Sequence, residues 1–137
     1  YLFDSGVARA LSGRLPYPAS PEERGSLLET LIHSELSAYL EYSGLGYPIF
    51  FWRTPDGVEV DFLCETAAGY TAIEVKAATG WRIAASRGPA RLSAELGPQK
   101  VRCFGVYLGG READYPPCRV LPVAEFLRRL WAGEIIG

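Results

Sequence analysis

The sequence lacks the patterns of disulfide-rich, zinc-finger and membrane proteins. Its three cysteines, Cys64, Cys103 and Cys118, are an odd number with no C-x-x-C pair, so neither a disulfide framework nor a zinc knuckle is predicted. They are expected to be small buried hydrophobic residues in a reducing compartment. Because no run of about 18 apolar residues and no N-terminal signal pattern is present, the sequence predicts a soluble cytoplasmic protein without membrane contact.

Methionine is absent and lysine is scarce. The chain opens at Tyr1 without an initiating Met, which predicts that it is the C-terminal part of a longer polypeptide. Lys76 and Lys100 are the only lysines among 14 basic residues, and Lys76 is conspicuous because it lies inside an apolar strand pattern. The net charge of −2 argues against a surface devoted to phosphate, although a local basic patch stays open.

Length and hydrophobic content predict one domain over residues 1–137, since 48% hydrophobic residues suffice for one core. A short helix capped by Asp4 is predicted to end at Leu11. A long helix is predicted from Pro21 to about Tyr42, because Ser20 can cap it and acidic residues follow. Its apolar residues recur at helical spacing and should face the core: Leu27, Leu28, Leu31, Ile32, Leu36 and Leu40.

From Tyr47 onward the pattern is typical of strands. Segments 49–53 and 58–65 read as an antiparallel hairpin around a turn that contains Pro55 and Gly57. The later segments are predicted as a strand at 70–77, a helix at 86–96 and a strand at 101–108. A loop at 111–117, a short edge strand at 118–121 and a closing helix at 123–132 follow. A strand–helix–strand order suits a parallel crossover, so we predict an α/β (α+β) fold with a mixed sheet of about four or five strands, flanked by helices.

Alternation along the strands places charged side chains together. Asp61 is predicted on the face opposite Val60 and Phe62, and Glu74 and Lys76 share one face of the next strand. If the strands are neighbours, two carboxylates and one ammonium converge, which suits metal-dependent phosphodiester hydrolysis. The alternative is an ordinary salt-bridged sheet surface, because Glu-x-Lys is common on strands. The clustering of these groups among apolar neighbours favours the functional interpretation.

Glu29 on a helix, then Asp61, then Glu74-Val75-Lys76, in that order, resembles the PD-(D/E)xK nuclease superfamily. More closely, the chain resembles the uncharacterised domain found C-terminal to the ATPase module of AAA-type prokaryotic ATP-binding proteins. Five motifs in order carry this resemblance: Tyr1-Leu2-Phe3-Asp4-Ser5-Gly6, Gly25-Ser26-Leu27-Leu28-Glu29, Phe51-Trp52-Arg53, Glu59-Val60-Asp61-Phe62 and Ile73-Glu74-Val75-Lys76.

The resemblance implies a restriction-endonuclease-like fold and a Mg²⁺ or Mn²⁺ site. Asp61 and Glu74 would bind the metal with the backbone carbonyl of Val75, and Glu29 would reach it through a water. Lys76 would stabilise charge on the phosphate or position the attacking water. ATP would belong only to an N-terminal ATPase module, which would be the domain's own partner and whose Walker motifs are absent here.

Arginine side chains are the candidates for contact with DNA. Three of them come after the strand that contains Lys76: Arg82, Arg87 and Arg91. The fourth, Arg53, ends an earlier strand. A solvated helix face is the alternative for Arg82, Arg87 and Arg91, and the role of Arg53 stays open. His33, one turn after the helix carboxylate, either borders the site as a proton carrier or is an ordinary helix residue.

Two functions remain open. One is a metal-dependent nuclease or nuclease-derived DNA-binding domain positioned by the ATPase. The other is a catalytically inactive domain that mediates assembly or target recognition for that ATPase. The four charged groups favour the first function and the acidic net charge favours the second. Val60 stands where the superfamily has its leading proline, which is a departure from the pattern.

Overall fold

A computed structural model of the chain describes residues 5–11, 13 and 16–137. This part of the chain forms a six-stranded mixed sheet with helices packed on both faces, which confirms the predicted fold class. The α-helices are α1 (Ser5–Leu11), α2 (Pro21–Tyr42), α3 (Arg87–Leu96) and α4 (Val123–Trp131). The strands are β1 (Ile49–Arg53), β2 (Glu59–Thr66), β3 (Gly69–Lys76), β4 (Val101–Tyr107), β5 (Ala113–Tyr115) and β6 (Cys118–Pro122).

The strand order is β1-β2-β3-β4-β6-β5. β1, β2 and β3 form an antiparallel meander, and β3, β4 and β6 are parallel neighbours. The predicted crossover is confirmed, because α3 lies between the parallel strands β3 and β4. A short 3₁₀ helix, Ile83–Ser86, immediately precedes α3.

The predicted strand count was too low at the C-terminal side. Segment 111–117, predicted as a loop, contains β5, which pairs antiparallel with β6. β6 is therefore an inner strand between β4 and β5, and the prediction that 118–121 forms an edge was wrong. β5 has three residues and ends before Pro116 and Pro117, so its pattern was too short to stand out from a turn.

α2 begins as predicted, since the Ser20 hydroxyl accepts a hydrogen bond from the Glu23 N–H at 3.2 Å. It ends at Tyr42, and Gly44 follows with a φ of 68°, a left-handed conformation that favours glycine. Its buried stripe is narrower than predicted, because Leu31 is 37% exposed. Positions four apart lie in one row along a helix, and every fourth residue from Leu28 to Leu40 is buried. Together with the adjoining Tyr39, the buried residues are Leu28, Ile32, Leu36, Tyr39 and Leu40.

The sheet separates two apolar clusters. One lies between the sheet and helices α2 and α4, and the other lies under α3. Val60 belongs to the α3 side and Phe62 to the α2 side, so the prediction that they share a face was wrong. The reason is a β-bulge: Phe50 pairs with Leu63 and Trp52 with Val60, which leaves one β1 residue opposite two β2 residues.

All three cysteines are buried, as predicted. Residues 1–4, which include the predicted Asp4 cap and most of the first motif, lie outside the described residues. Within the described part of the chain, each helix is either too short or too polar to cross a membrane.

Candidate functional site

The bulge in β2 positions Asp61. The last paired residues of β2 and β3 are Phe62 and Ile73, so Asp61 and Glu74 come next toward the same end of the two strands. Asp61 Oδ2 accepts a hydrogen bond from the backbone N–H of Val75 at 2.7 Å. The Asp61 carboxylate thus accepts the hydrogen bond that a β2 backbone carbonyl would accept if the strand pairing continued.

Glu74 and Lys76 form a close ion pair beside Asp61. Glu74 Oε1 lies 2.5 Å from Lys76 Nζ, and the Glu74 side chain is only 6% exposed while that of Lys76 is 43% exposed. Glu74 Oε2 is buried without a hydrogen-bond partner. Because an unpaired buried carboxylate oxygen is costly, this atom is suited to a donor or cation that enters the site.

Four ionisable groups share one electrostatic neighbourhood. Burial, followed by the charge of Asp61, raises the pKa of Glu74 to about 7. Burial is also the main cause of the raised pKa of Asp61 and of Glu29, and Asp61 raises that of Glu29 further. Burial alone would lower the pKa of Lys76, but Glu74, Asp61 and Glu29 together raise it. The structure therefore brings Asp61, Glu74 and Lys76 together at the end of β3, and the charge of Glu29 acts on Asp61 and Lys76.

Glu29 reaches this neighbourhood from the other side of the sheet. It is half-buried on α2, next to Leu28, which packs in the α2-side cluster with Phe62 and Val75. Glu74 lies on the opposite face, because Ala72, two residues before it, packs in the α3-side cluster. The two faces meet at the end of β2 and β3, where the bulge carries Asp61.

The oxygen atoms at this strand end fit a hard divalent cation. Asp61 and Glu74 supply carboxylates, and the unpartnered Glu74 Oε2 is an available ligand atom. The N–H and C=O groups of one strand residue face the same neighbouring strand, so the Val75 carbonyl faces β2 as its N–H does. Among the described residues, no group of three or more His, Cys, Asp or Glu side chains is placed to hold a metal ion. Mg²⁺ commonly uses only one or two carboxylates and several waters, so the smaller set still fits it.

Residues that the sequence prediction missed enclose Glu74. Gly105 pairs with Glu74, and a Cβ at Gly105 would lie 2.5 Å from the Trp81 ring, so the indole packs directly on the β4 backbone. Trp81 Nε1 donates to Ser86 Oγ at 3.1 Å. At Gly88 a Cβ would lie 1.8 Å from a β2 carbonyl oxygen, so α3 rests on that strand. Glycine inside an apolar strand marks close approach, and Gly105 was the signal that could have revealed this wall.

The predicted arginines are distributed unequally around the site. Arg87 lines a cleft of about 210 Å³ together with Glu74 and Lys76. Arg82 lines an adjoining cavity of about 780 Å³. Arg53 and Arg91 are exposed and lie near acidic side chains, at 4.0 Å from Glu59 and 2.6 Å from Glu95 respectively.

His33 borders a different part of the surface. Its ring centroid is 6.0 Å from that of Phe62, and it lines a groove of about 410 Å³ with Tyr47 and Ile49. Burial lowers the pKa of His33. The cleft that contains Glu74 and Lys76 has no lining from His33, which favours the interpretation as an ordinary helix residue.

The chain is thus a mixed α/β domain that holds an acidic-plus-lysine cluster where two antiparallel strands stop pairing. A family model described as Domain of unknown function (DUF4143) matches residues 24–126, and the chain belongs to this family. The matched range contains Glu29, Asp61, Glu74 and Lys76. None of the curated proteins and none of the solved structures matches the chain.

Proposed function

We propose that this domain is a metal-dependent phosphodiesterase that cleaves nucleic acid. The observation that carries the proposal is the state of Glu74. One of its oxygens pairs with Lys76, the other is buried without a partner, and Asp61 lies beside it. A purely structural ion pair has no need of an unpaired buried oxygen, whereas a ligand-binding carboxylate does.

Each residue has a role that follows from its position. Asp61 and Glu74 would hold Mg²⁺ or Mn²⁺ with the Val75 carbonyl. When bound, the metal would supply charge neutralisation and a more acidic water. Lys76 is half exposed and can donate to a phosphate oxygen, where it stabilises the negative charge of the transition state. The resemblance implies that Glu29 would reach the metal through a water, and Glu29 interacts electrostatically with Asp61 and Lys76.

The resemblance to the domain that follows ATPase modules supports a further part of this proposal. A nuclease joined to an AAA-type ATPase would act on DNA that the ATPase engages, in a prokaryotic cytoplasm. Arg82 and Arg87, which line the two cavities beside Lys76, are the cations best placed to contact the phosphates. ATP itself would bind in the ATPase module.

A second candidate function is a catalytically inactive interaction domain for the same ATPase. It is favoured by one observation: the net charge of −2, which argues against a surface devoted to nucleic-acid phosphates. Nuclease folds can persist without catalysis, so the fold alone does not separate the two functions.

The test is to measure cleavage and metal binding on the same variants. Labelled DNA and RNA are incubated with the protein in Mg²⁺, Mn²⁺ or EDTA, and Mn²⁺ binding is measured by titration calorimetry. The variants are Glu74→Gln and the matched control Glu65→Gln, which lies exposed on β2. We expect wild type and Glu65→Gln to bind Mn²⁺ and cleave, and Glu74→Gln to do neither.

Each outcome separates the candidates. Metal binding without cleavage by the chain or by the chain joined to its ATPase would favour the inactive interaction domain. Equal metal binding by Glu74→Gln and wild type would contradict both the proposed ligand set and the phosphodiesterase.

A further inference from the structure

The two cavities beside Lys76 form one groove. Both are lined by Lys76, Ala84 and Ala85, so they adjoin along the 3₁₀ helix Ile83–Ser86. We call the cavity of about 780 Å³ the wide half and the cleft of about 210 Å³ the narrow half. Lys76 stands at their junction.

The two halves differ in charge. The narrow half is lined by three acidic residues, Asp56, Glu59 and Glu74, and by two basic residues, Lys76 and Arg87, so carboxylates outnumber cations there. Among the described residues, the wide half is lined by the cations Lys76 and Arg82 and by no acidic side chain. A ligand with both phosphates and a bound cation would therefore place its phosphates in the wide half and the cation toward the narrow half.

The walls of the wide half suit bases and sugars. They consist largely of small side chains, Ala78, Gly80, Ala84 and Ala85, over a floor held by the hydrogen bond from Trp81 to Ser86. A volume of about 780 Å³ falls in the range of small-molecule sites, roughly 300–1,000 Å³, which accommodates a short stretch of unpaired nucleotides and no duplex. Ile83 lies in the chain between the lining residues Arg82 and Ala84, and its apolar side chain is 75% exposed, so it can pack against an unstacked base.

We propose that the wide half binds a single nucleic-acid strand, with Arg82 and Lys76 on its phosphates and Ile83 against a base, so that the substrate is single-stranded or has an unpaired end. This proposal rests on the proposed function, because it names the substrate form for the same site. It does not depend on cleavage, since the wide half contains none of the proposed metal ligands.

The experiment is fluorescence anisotropy in EDTA, where cleavage cannot occur. The probes are labelled oligothymidylate, a duplex of equal length and, as competitor, thymidine monophosphate. The variants are Arg82→Ala, Arg82→Lys, Ile83→Ser and the control Arg119→Ala, whose exposed arginine lines a cavity on the α4 side. Salt is varied to count the phosphate contacts.

We expect the single strand to bind more tightly than the duplex or the mononucleotide. Arg82→Ala should weaken binding about tenfold and reduce the salt slope by about 0.7, while Arg82→Lys restores the slope. Ile83→Ser should weaken binding several-fold with an unchanged slope, and Arg119→Ala should bind like wild type.

Three results would overturn the proposal: tighter binding of the duplex, equal competition by the mononucleotide, or an equal loss in Arg82→Ala and Arg119→Ala. Single-strand binding that depends on Arg82, without cleavage in Mg²⁺ or Mn²⁺, would support this proposal and contradict the proposed phosphodiesterase. If Arg82→Ala cleaved the single strand and the duplex at the wild-type rates, that result would contradict this proposal and support the proposed phosphodiesterase.

Discussion

Two groups of charged residues in this domain are held in opposite ways. On α4, Glu125 pairs with Arg128 at 2.7 Å and with Arg129 at 2.5 Å, and these partners lower the pKa of Glu125 to about 2. At the end of β3, Glu74 is buried with one oxygen unpartnered, and burial raises its pKa to about 7. Partners set the charge state of the first carboxylate, and burial sets that of the second.

The difference distinguishes a satisfied surface, where the carboxylate oxygens already have partners, from a prepared site, where a carboxylate oxygen is left without a partner and could bind a ligand. Both oxygens of Glu125 accept hydrogen bonds from arginine side chains. Arg128 is 58% exposed, where an ion pair contributes little to stability, and Arg129 is only 14% exposed. The β3 pair lies beside Asp61, in a place where two carboxylates repel each other and one oxygen lacks a donor. A cation would relieve both unfavourable features, which is why we propose a function for the second group and not for the first.

The largest expected effect sharpens the comparison through activity. Lys76→Ala should lower Mg²⁺-dependent cleavage by about 10²–10³-fold, because it removes a donor that acts on transition-state charge. Folding should remain nearly intact, since Glu74 can take up a proton once its partner is gone. Cleavage rates with Mg²⁺ and Mn²⁺, together with thermal melting, measure the two effects separately. Cleavage at the wild-type rate would remove Lys76 from the mechanism.

Next in size is the pH dependence of stability without metal. The pKa of Glu74 is about 7 in the fold and about 4.5 in the unfolded chain, so the fold holds its proton more tightly. The free energy of unfolding should therefore fall as pH rises from about 4.5 to about 7, by at most ~1.4 kcal/mol per pH unit. Glu74→Gln should remove most of this slope, with the remainder due to Asp61 and Glu29, whose pKa values are also raised.

Glu125 should show the opposite sign in a different pH window. Its lowered pKa means that its contribution is present above about 4.5 and is lost as pH falls toward about 2. Urea unfolding in EDTA from pH 3 to pH 8 separates the two windows. A slope between pH 5 and 7 that persists fully in Glu74→Gln would show that other groups cause it.

A smaller effect is expected for Asp61→Asn. Metal binding should be lost while the melting temperature rises by a few degrees, about 3 °C per kcal/mol, because one of two repelling carboxylates is gone. The amide oxygen can still accept from the Val75 N–H. Asp61→Ala is the contrast: it leaves that N–H unpaired and should melt lower. Should Asp61→Asn melt several degrees lower and the wild type cleave no nucleic acid, the site would be a structural ion pair.

The sequence predicted which charged side chains lie near one another better than it predicted the path of the strands that carry them. The hairpin, the parallel crossover and the long helix followed from turn residues, alternation and capping, which are local signals. Asp61, Glu74 and Lys76 followed from alternation on two adjacent strands. The bulge did not, because strict alternation puts Val60 and Phe62 on one face and the structure separates them. A bulge is a property of strand pairing and leaves no mark in one strand's pattern.

The packing of Trp81 and Gly105 around Glu74 could also not be predicted from the local sequence pattern. Trp81 and Gly105 are 24 positions apart, and each reads as an ordinary loop or strand residue in isolation. Their contact arises because the crossover returns the chain to the neighbouring strand, which places the indole on β4 beside Glu74. The raised pKa of Glu74 therefore depends on long-range packing, whereas the lowered pKa of Glu125 follows from partners three and four residues away on one helix.

The smallest expected effect is that of Arg128→Ala on α4, which tests the other side of the comparison. Arg128 is 58% exposed, and Glu125 keeps its second partner, Arg129, in the variant. We expect the smallest loss of stability among these variants, and it should shrink further in high salt because exposed pairs are screened. Cleavage, metal binding and the pH slope between 5 and 7 should equal those of the wild type. A loss of cleavage in Arg128→Ala without a change in melting would couple α4 to the strand end, and the division into a satisfied surface and a prepared site would then be wrong.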